Sequence, residues 1–257
     1  MTTAPLRQKA HPPRWRRLLR AVGFAATAGV PVAVLALAVR SQSSPVLLWD
    51  ERAIAAATAV TRDNPVLHEA LLVWQELFQA KWVNLLLSLA CLWAWRRHGL
   101  TTRALWAFVT LMASWNLGLV AKFVVQRARP VVDDAVAFAP GYSFPSGHAA
   151  NTAAAGLTLT LLLWPLLGRR GRIGVSVAVG SAVVLTAADR VFLGVHYPSD
   201  VVAGILFGGA LVGASYLGYL GWNPAVSHPH HETETDGVVP ASLRDRPVPP
   251  DGPAGRA

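Results

Sequence analysis

The feature that most constrains this chain is a series of apolar stretches, most of them close to the roughly 20 residues that a helix needs to cross a bilayer. Hydrophobic residues make up 53% of the 257 residues and charged residues only 14%. Soluble domains carry about 25% charged residues, so this composition indicates a membrane protein. We predict an all-α fold: a polytopic membrane helix bundle with six transmembrane helices.

The apolar stretches give the six spans at 21–39, 82–95, 104–122, 149–167, 173–188 and 201–222. The second span continues a longer helical stretch, Val66–Trp95, whose polar first part would stand above the bilayer. The first span ends in Ala36-Leu37-Ala38, which resembles a signal-peptide cleavage site. The apolar region of a signal peptide is usually only about 7–15 residues long, so we favour an uncleaved first span.

Basic residues orient these spans. The segments predicted to lie inside hold six, three and three arginines and lysines, whereas the outside loops hold Arg40, Arg52 and Arg62 once the suspected site is set aside. This asymmetry places both termini in the cytoplasm. We therefore divide the chain into a basic N-terminal arm (1–20), the membrane domain (21–222) and a polar, proline-rich C-terminal tail (223–257) that is predicted to be disordered.

Two weaker patterns concern packing. Apolar residues at helical spacing in the first outside loop predict a short interfacial helix that lies on the membrane surface: Trp49, Ala53, Ala57 and Val60. Two glycine pairs in the sixth span have the spacing of closely packed membrane helices: Gly204 with Gly208, and Gly209 with Gly213.

The net charge of +9 does not indicate binding to nucleic acid, because the arginines cluster in the loops between spans and no aromatic-plus-basic surface accompanies them. Cys91 stands alone, so no disulfide is expected. Two groups of possible metal ligands lie in segments without a scaffold, and we interpret both as solvated: Asp133 and Asp134, and the tail residues His228, His230, His231 and Glu232.

Three motifs carry residues suited to chemistry on an anion. The first is Lys122, followed seven residues later by Arg129 and Pro130. If the third span continued as a helix, Lys122 and Arg129 would share one face, since seven residues advance about two turns. A lysine that snorkels to the surface and a loop arginine would give the same spacing.

The second motif, Pro145-Ser146-Gly147-His148, opens the fourth span. Free N–H groups at a helix N-terminus form an anion site, and Gly147 has no Cβ to block the approach. Ser146 would add a hydroxyl donor or else serve only as the N-cap. His148 in the first turn would be an unusual choice for a purely structural span.

The third motif joins Arg190, at the end of the fifth span, to His196 and Asp200. Pro198 suits the first position of the last helix, so Asp200 falls in the first turn, where a carboxylate is favoured. Ionisable residues at membrane depth are costly and therefore indicate function. An ion pair that merely closes the outer end of the bundle is the structural alternative.

The pattern K-x6-RP, then PSGH, then R-x5-H-x3-D closely resembles that of the type 2 phosphatidic acid phosphatase (lipid phosphate phosphatase) superfamily. The resemblance covers Lys122–Asp200. It implies that His196 attacks phosphorus and forms a phosphohistidine, that Asp200 orients His196, and that His148 is the general acid and then the base. It also implies a set of groups that hold the phosphoryl oxygens: Lys122, Arg129, Ser146, the Gly147 N–H and Arg190. That family needs no metal or other cofactor.

One residue departs from the family pattern. A serine or another small polar residue usually precedes the arginine of the third motif, and Asp189 stands there in this chain. A carboxylate aimed at a phosphate would repel it, so we expect Asp189 to turn away and pair with Arg190 or Arg127.

The motifs together predict a membrane phosphatase that removes a terminal phosphate from a lipid phosphate or diphosphate at the outer face, with membrane lipids as its surroundings and no nucleic acid partner. Undecaprenyl diphosphate, phosphatidylglycerophosphate and phosphatidate are candidate substrates, and the oligomeric state stays open. The alternatives are a lipid phosphotransferase that uses the same histidine and a transporter without chemistry. Transporters usually place their sites near the midplane, whereas these motifs lie at span ends. The related vanadium haloperoxidases are soluble, which disfavours that activity.

Overall fold

The computed structural model describes residues 14–132 and 137–220, and every regular element in those ranges is helical. The elements are α1 (Arg14–Arg40), α2 (Ser44–Arg62), α3 (Pro65–Leu77), α4 (Ala80–His98), α5 (Thr101–Val125), α6 (Gly147–Leu163), a 3₁₀ turn (Trp164–Leu166), α7 (Arg169–Phe192) and α8 (Pro198–Tyr219). The tail from 223 onward, Asp133 and Asp134 lie outside the described residues.

Five helices in the described ranges are long and apolar enough to cross a membrane, and α3 with α4 makes a sixth candidate if this bent pair counts as one span. The all-helical membrane fold is therefore confirmed, while the count of six stays a prediction. The continuous helix predicted over Val66–Trp95 is wrong, because α3 and α4 meet at a bend of 48°. Gln79 takes an extended conformation there and starts α4 anew. The first helix also begins earlier than predicted, at Arg14 within the proposed basic arm.

Helix α6 forms the centre of the bundle. In its most apolar window 56% of the residues are buried, against 6% in α1 and in α7. The helix is rich in alanine, glycine and threonine, and such small residues let neighbouring membrane helices approach closely. It packs against α4, α5, α7 and α8, while α1 lies against α8. The ends of α6 are therefore fixed by the surrounding helices.

One of the two predicted glycine pairs packs against α6. A Cβ added to Gly204 would lie 2.6 Å from the Ser146 carbonyl oxygen, and one added to Gly208 would lie 2.4 Å from that of Ala150. Backbone meets backbone at both points, so only glycine fits there. The other pair differs, since Gly213 faces the Phe24 ring of α1 and, among the described residues, no neighbouring atom lies within 4 Å of a Cβ added to Gly209.

Helix α2 exists where the first outside loop was predicted to hold a short helix, and its position on the membrane surface stays a prediction. Of the four residues in the predicted apolar stripe, Ala57 is buried, and the side of α2 that faces the bundle also carries polar residues. Trp49 and Val60 are about half exposed, whereas Asp50, a charged residue, is completely buried. The apolar spacing did not identify this face because polar residues dominate it. Thr61 donates to the Phe192 carbonyl oxygen of α7, and Asp50 accepts from the Ser199 N–H of α8.

Candidate active site

The three motifs meet at one end of the bundle. The C-terminal ends of α5 and α7 and the N-terminal ends of α6 and α8 lie there, because successive spans run in opposite directions. The Ser146 N–H donates to the Asp200 carbonyl oxygen (2.9 Å), which ties the start of α6 to the start of α8. The sequence-predicted residues of the second and third motifs therefore share one polar region above a small-residue core.

The first motif reaches this region by a different route from the one predicted. Helix α5 ends at Val125 and Gln126 takes a left-handed conformation, so Lys122 and Arg129 do not share a helical face. Arg129 instead folds back along the loop. Its Nη1 donates to the Val195 carbonyl oxygen (2.7 Å), and its Nε donates to that of Gly141 (3.0 Å). The Lys122 ammonium donates to the Tyr142 carbonyl oxygen (2.8 Å).

The second motif supplies free polar atoms. Lys122, Gly147 and His148 line one cavity of about 150 Å³ between α4, α5 and α6. Ser146 occupies the N-cap position of α6, yet its hydroxyl makes no capping hydrogen bond. Within the part of the chain that the structure describes, the Ser146 hydroxyl and the Nε2 of His148 are buried without a hydrogen-bond partner. Buried polar atoms are rarely left unpaired, so these two are available to a ligand.

The third motif holds His196 between opposite charges. Its Nδ1 lies 3.6 Å from an Asp200 carboxylate oxygen, slightly beyond hydrogen-bond length, and its Nε2 lies 3.2 Å from Nη1 of Arg129. This arrangement favours a proton on Nδ1 and a lone pair on Nε2. His196 lies between α7 and α8, outside the apolar spans. Burial lowers the pKa of His196, Arg129 and Lys122 also lower it and Asp200 opposes them, so that the pKa falls to about 4.

Arg190 is fully buried, and two groups hold its guanidinium. Nε donates to the Asp189 carboxylate (2.7 Å), Nη2 contacts the same oxygen, and Nη1 donates to the Gln75 side chain (2.9 Å). The expectation that Asp189 pairs with Arg190 or Arg127 is confirmed for Arg190. The other Asp189 oxygen is buried and lacks a hydrogen-bond partner in the described ranges. A phosphate that binds Arg190 therefore competes with Asp189.

Sequence reasoning missed several residues of this region. Asp50, Ser199 and Gln75 were not singled out, and Arg127 entered only as a possible partner of Asp189. Arg127 lies inside the first motif, two residues before Arg129, so its position was a usable signal. Asp50 lies in α2, where its charge indicated an exposed face. No group of three histidine, cysteine, aspartate or glutamate side chains in residues 14–132 and 137–220 is arranged to hold a metal ion.

Sequence comparison finds a match to the family model described as the PAP2 superfamily over residues 103–223. The chain is 38% identical over 99 residues to an undecaprenyl-diphosphatase of Sulfolobus acidocaldarius, which covers 36% of this chain and 43% of the relative. It is 38% identical over 101 residues to a decaprenylphosphoryl-5-phosphoribose phosphatase of Mycobacterium tuberculosis, and 34% identical over 100 residues to phosphatidylglycerophosphatase B of Bacillus subtilis. These matches cover 38% and 36% of this chain and 50% and 46% of the relatives. The chain thus spans half or less of the length of these curated relatives.

The fold is similar to the crystal structure of a transmembrane PAP2-type phosphatidylglycerolphosphate phosphatase from Bacillus subtilis. The TM-score is 0.64, with 24% sequence identity, and the match covers 75% of this chain and 94% of that one. The likeness confirms the helical membrane fold. The family model, whose residues include all three motifs, confirms the resemblance that those motifs indicated. Residues 103–223, just under half of the chain, therefore match a PAP2 superfamily domain.

Proposed function

We propose that this protein is a membrane-embedded phosphatase that hydrolyses a terminal phosphomonoester or phosphoanhydride of a lipid. One observation carries the proposal: two imidazoles and the cations of the first and third motifs converge at one end of a membrane bundle. The relatives that match this chain are named as phosphatases of lipid phosphates or diphosphates. Undecaprenyl diphosphate, phosphatidylglycerophosphate and phosphatidate are the substrates to test first.

The nucleophile in this proposal is Nε2 of His196. The proton on Nδ1 faces Asp200, so Nε2 carries the lone pair that attacks phosphorus once the substrate displaces its contact with Arg129, while Asp200 stabilises the positive ring that forms. The P–O bond to the lipid breaks as the N–P bond forms. A low pKa keeps His196 neutral, and hence nucleophilic, at physiological pH.

His148 takes the part of general acid and base. Its buried, unpaired Nε2 would donate a proton to the departing lipid oxygen, and it would then accept a proton from the water that cleaves the N–P bond. Lys122, Arg129 and Arg190 would stabilise the charge on the equatorial oxygens, together with the Ser146 hydroxyl and the Gly147 N–H. These cations supply the electrostatic role that a metal has in other phosphatases, so the proposed reaction needs no metal.

Phosphate release by purified protein in detergent tests the assignment. We expect His196→Ala to lose at least about 10⁴-fold in kcat, because the nucleophile is gone. His98→Ala, an exposed histidine at the opposite end, is the matched control and keeps wild-type turnover. Activity of the wild type should survive excess chelator. Full turnover by His196→Ala would show that the nucleophile is assigned wrongly.

The orientation belongs to the same proposal. The excess of arginine in the predicted inside segments supports cytoplasmic termini and a site that faces the periplasm or cell exterior. A membrane-impermeant thiol reagent on intact cells checks this in a Cys91→Ala background. Ser41→Cys, at the site end, should react, whereas His98→Cys should react only after the cells are lysed. The reverse pattern would place the site in the cytoplasm.

A further inference from the structure

A buried polar cluster lies directly behind Asp200, on the side away from His196. We define the Asp50 cluster as Asp50 of α2, Arg127 of the loop after α5, and Ser199 and Asp200 of α8. Arg127 donates through Nη2 to Asp50 and through Nη1 to Asp200, at 2.7 Å in both cases. The Ser199 N–H and hydroxyl both donate to the Asp50 carboxylate.

The burial of this cluster is unusual for charged groups. Asp50 and Asp200 are 0% exposed and Arg127 is 8% exposed. A buried charge is strongly unfavourable unless partners surround it, and removing one partner costs about 3–5 kcal/mol. Such an arrangement is weak evidence for added stability, because apolar residues of the same volume often serve as well. Stability alone therefore does not explain why two carboxylates surround one buried guanidinium.

Arg127 is not placed to hold a phosphate. Nη1 contacts Ser199 and Asp200, Nη2 contacts Asp50, and the Tyr197 ring stacks on the guanidinium with its centroid at 4.0 Å. Arg129, two residues later, contacts His196 instead. The two arginines of the loop therefore contact different members of the His196–Asp200 pair.

The two oxygens of Asp200 have separate partners. Oδ1 accepts from Arg127, while Oδ2 accepts from the Tyr197 N–H (3.0 Å) and faces His196 Nδ1. The direction of Oδ2 toward His196 depends on how Arg127 holds Oδ1. Asp50 holds the other side of Arg127 and also binds the backbone of Ser199, the residue before Asp200.

We propose that Asp50 is a positioning residue for the phosphatase reaction: through Arg127 and Ser199 it fixes the Asp200 carboxylate against His196. Asp50 also shares the positive charge of Arg127, which leaves Asp200 with more negative charge to stabilise the phosphohistidine. This inference rests on the proposed function. Small displacements of catalytic groups cost about 10²-fold in rate, so a residue remote from phosphorus has a measurable effect.

The test compares two neighbouring acids of α2 in lipid phosphate hydrolysis. Asp50→Asn keeps the shape and removes the charge, and we expect kcat to fall about 10- to 100-fold. KM and the inhibition constant of inorganic phosphate should stay within about threefold, because Lys122, Arg129 and Arg190 are untouched. The control is Glu51→Gln, whose side chain is exposed and whose kcat should not change. Wild-type kcat in Asp50→Asn would overturn the inference.

A double variant separates positioning from general damage. If Asp50 acts only through Asp200, then Asp50→Asn/Asp200→Asn has the same kcat as Asp200→Asn alone. Two losses that multiply would overturn the inference, since Asp50 would then act on its own. His196→Ala distinguishes a failure of the proposed function from a failure of this inference. Turnover by His196→Ala contradicts the proposed function. An inactive His196→Ala together with a fully active Asp50→Asn contradicts only this inference.

Ser199→Ala covers the case in which Asp50→Asn does not fold. It retains all three charges and removes the hydroxyl that links Arg127 to Asp50. We expect a loss of about three- to tenfold in kcat with unchanged KM, since one of several contacts is lost. Gel filtration in detergent monitors folding. A raised KM with normal kcat would overturn the inference, because substrate binding would then be the affected step.

Discussion

The two ends of the bundle both carry arginines, and they treat them in opposite ways. At the end opposite the site, Arg96, Arg97, Arg169 and Arg170 are exposed. The buried groups there include aromatic rings, and those of Trp106 and Tyr219 stack at 5.2 Å. At the site end, Arg127 and Arg190 are buried and bound to carboxylates. A charged side chain costs little free energy at the first end, where water or lipid headgroups solvate it. At the second end its burial is strongly unfavourable unless partners surround it.

In a membrane protein, burial therefore separates the arginines that set topology from those that serve a site. Exposed arginines set topology, and their individual positions are exchangeable. A buried arginine is tolerated only if specific acceptors surround it, so its position is constrained by every partner. We therefore expect an arginine substitution that is harmless at one end of the bundle to be severe at the other.

Arg190 and Arg170, on the same helix, provide the largest expected contrast. We expect Arg190→Gln to lower kcat/KM about 10²- to 10³-fold, the usual loss when one donor to a transition-state oxyanion is removed. Arg170→Gln, exposed at the opposite end of α7, should stay within twofold of the wild type in the same phosphate-release assay.

Arg190→Gln also leaves Asp189 buried beside a neutral partner, which destabilises the fold. The double variant Asp189→Asn/Arg190→Gln removes that unpaired charge. It should regain thermal stability and remain as inactive as the single variant. Recovered activity in the double variant would mean that Arg190 serves only to neutralise Asp189.

Features of the fold and the site that depend on residues close in sequence could be predicted, whereas those that depend on contacts between distant residues could not. The apolar helices and the three motifs depend on local composition and spacing, so the sequence indicated both, although not the bend between α3 and α4. The Asp50 cluster depends on contacts between residues 50, 127 and 199, and no local pattern announces them. The prediction that Lys122 and Arg129 share a helical face was wrong for a related reason. Gln126 takes a left-handed conformation and ends α5, and loop carbonyl oxygens position Arg129.

Close packing at the site end gives the second contrast, between Gly204 and Gly209 of α8. A methyl group on Gly204 would press on the Ser146 carbonyl, so Gly204→Ala must separate α6 from α8 or distort both. We expect a cost of about 1–3 kcal/mol in the free energy of unfolding, and a kcat about tenfold or more below wild type, because Ser146 and Asp200 move apart.

Gly209→Ala is the matched control, since open space surrounds that position. Alanine favours a helix over glycine by about 1 kcal/mol, so its melting temperature should equal or slightly exceed that of the wild type. Equal melting temperatures and equal activities for the two variants would show that α6 and α8 do not need this close approach.

The smallest expected effect is the response of His196 to acid. An ordinary histidine with a pKa near 6.5 is only about 3% neutral at pH 5. With a pKa of about 4, His196 is still roughly 90% neutral there, so the lowered pKa keeps the proposed nucleophile neutral as pH falls. After correction for ionisation of the substrate, we expect kcat/KM to fall by only about a tenth between pH 7 and pH 5, and tenfold per unit below pH 4. A roughly 30-fold drop by pH 5 would mean that His196 titrates like an exposed imidazole, and that the buried end of the bundle is wetter than its packing indicates.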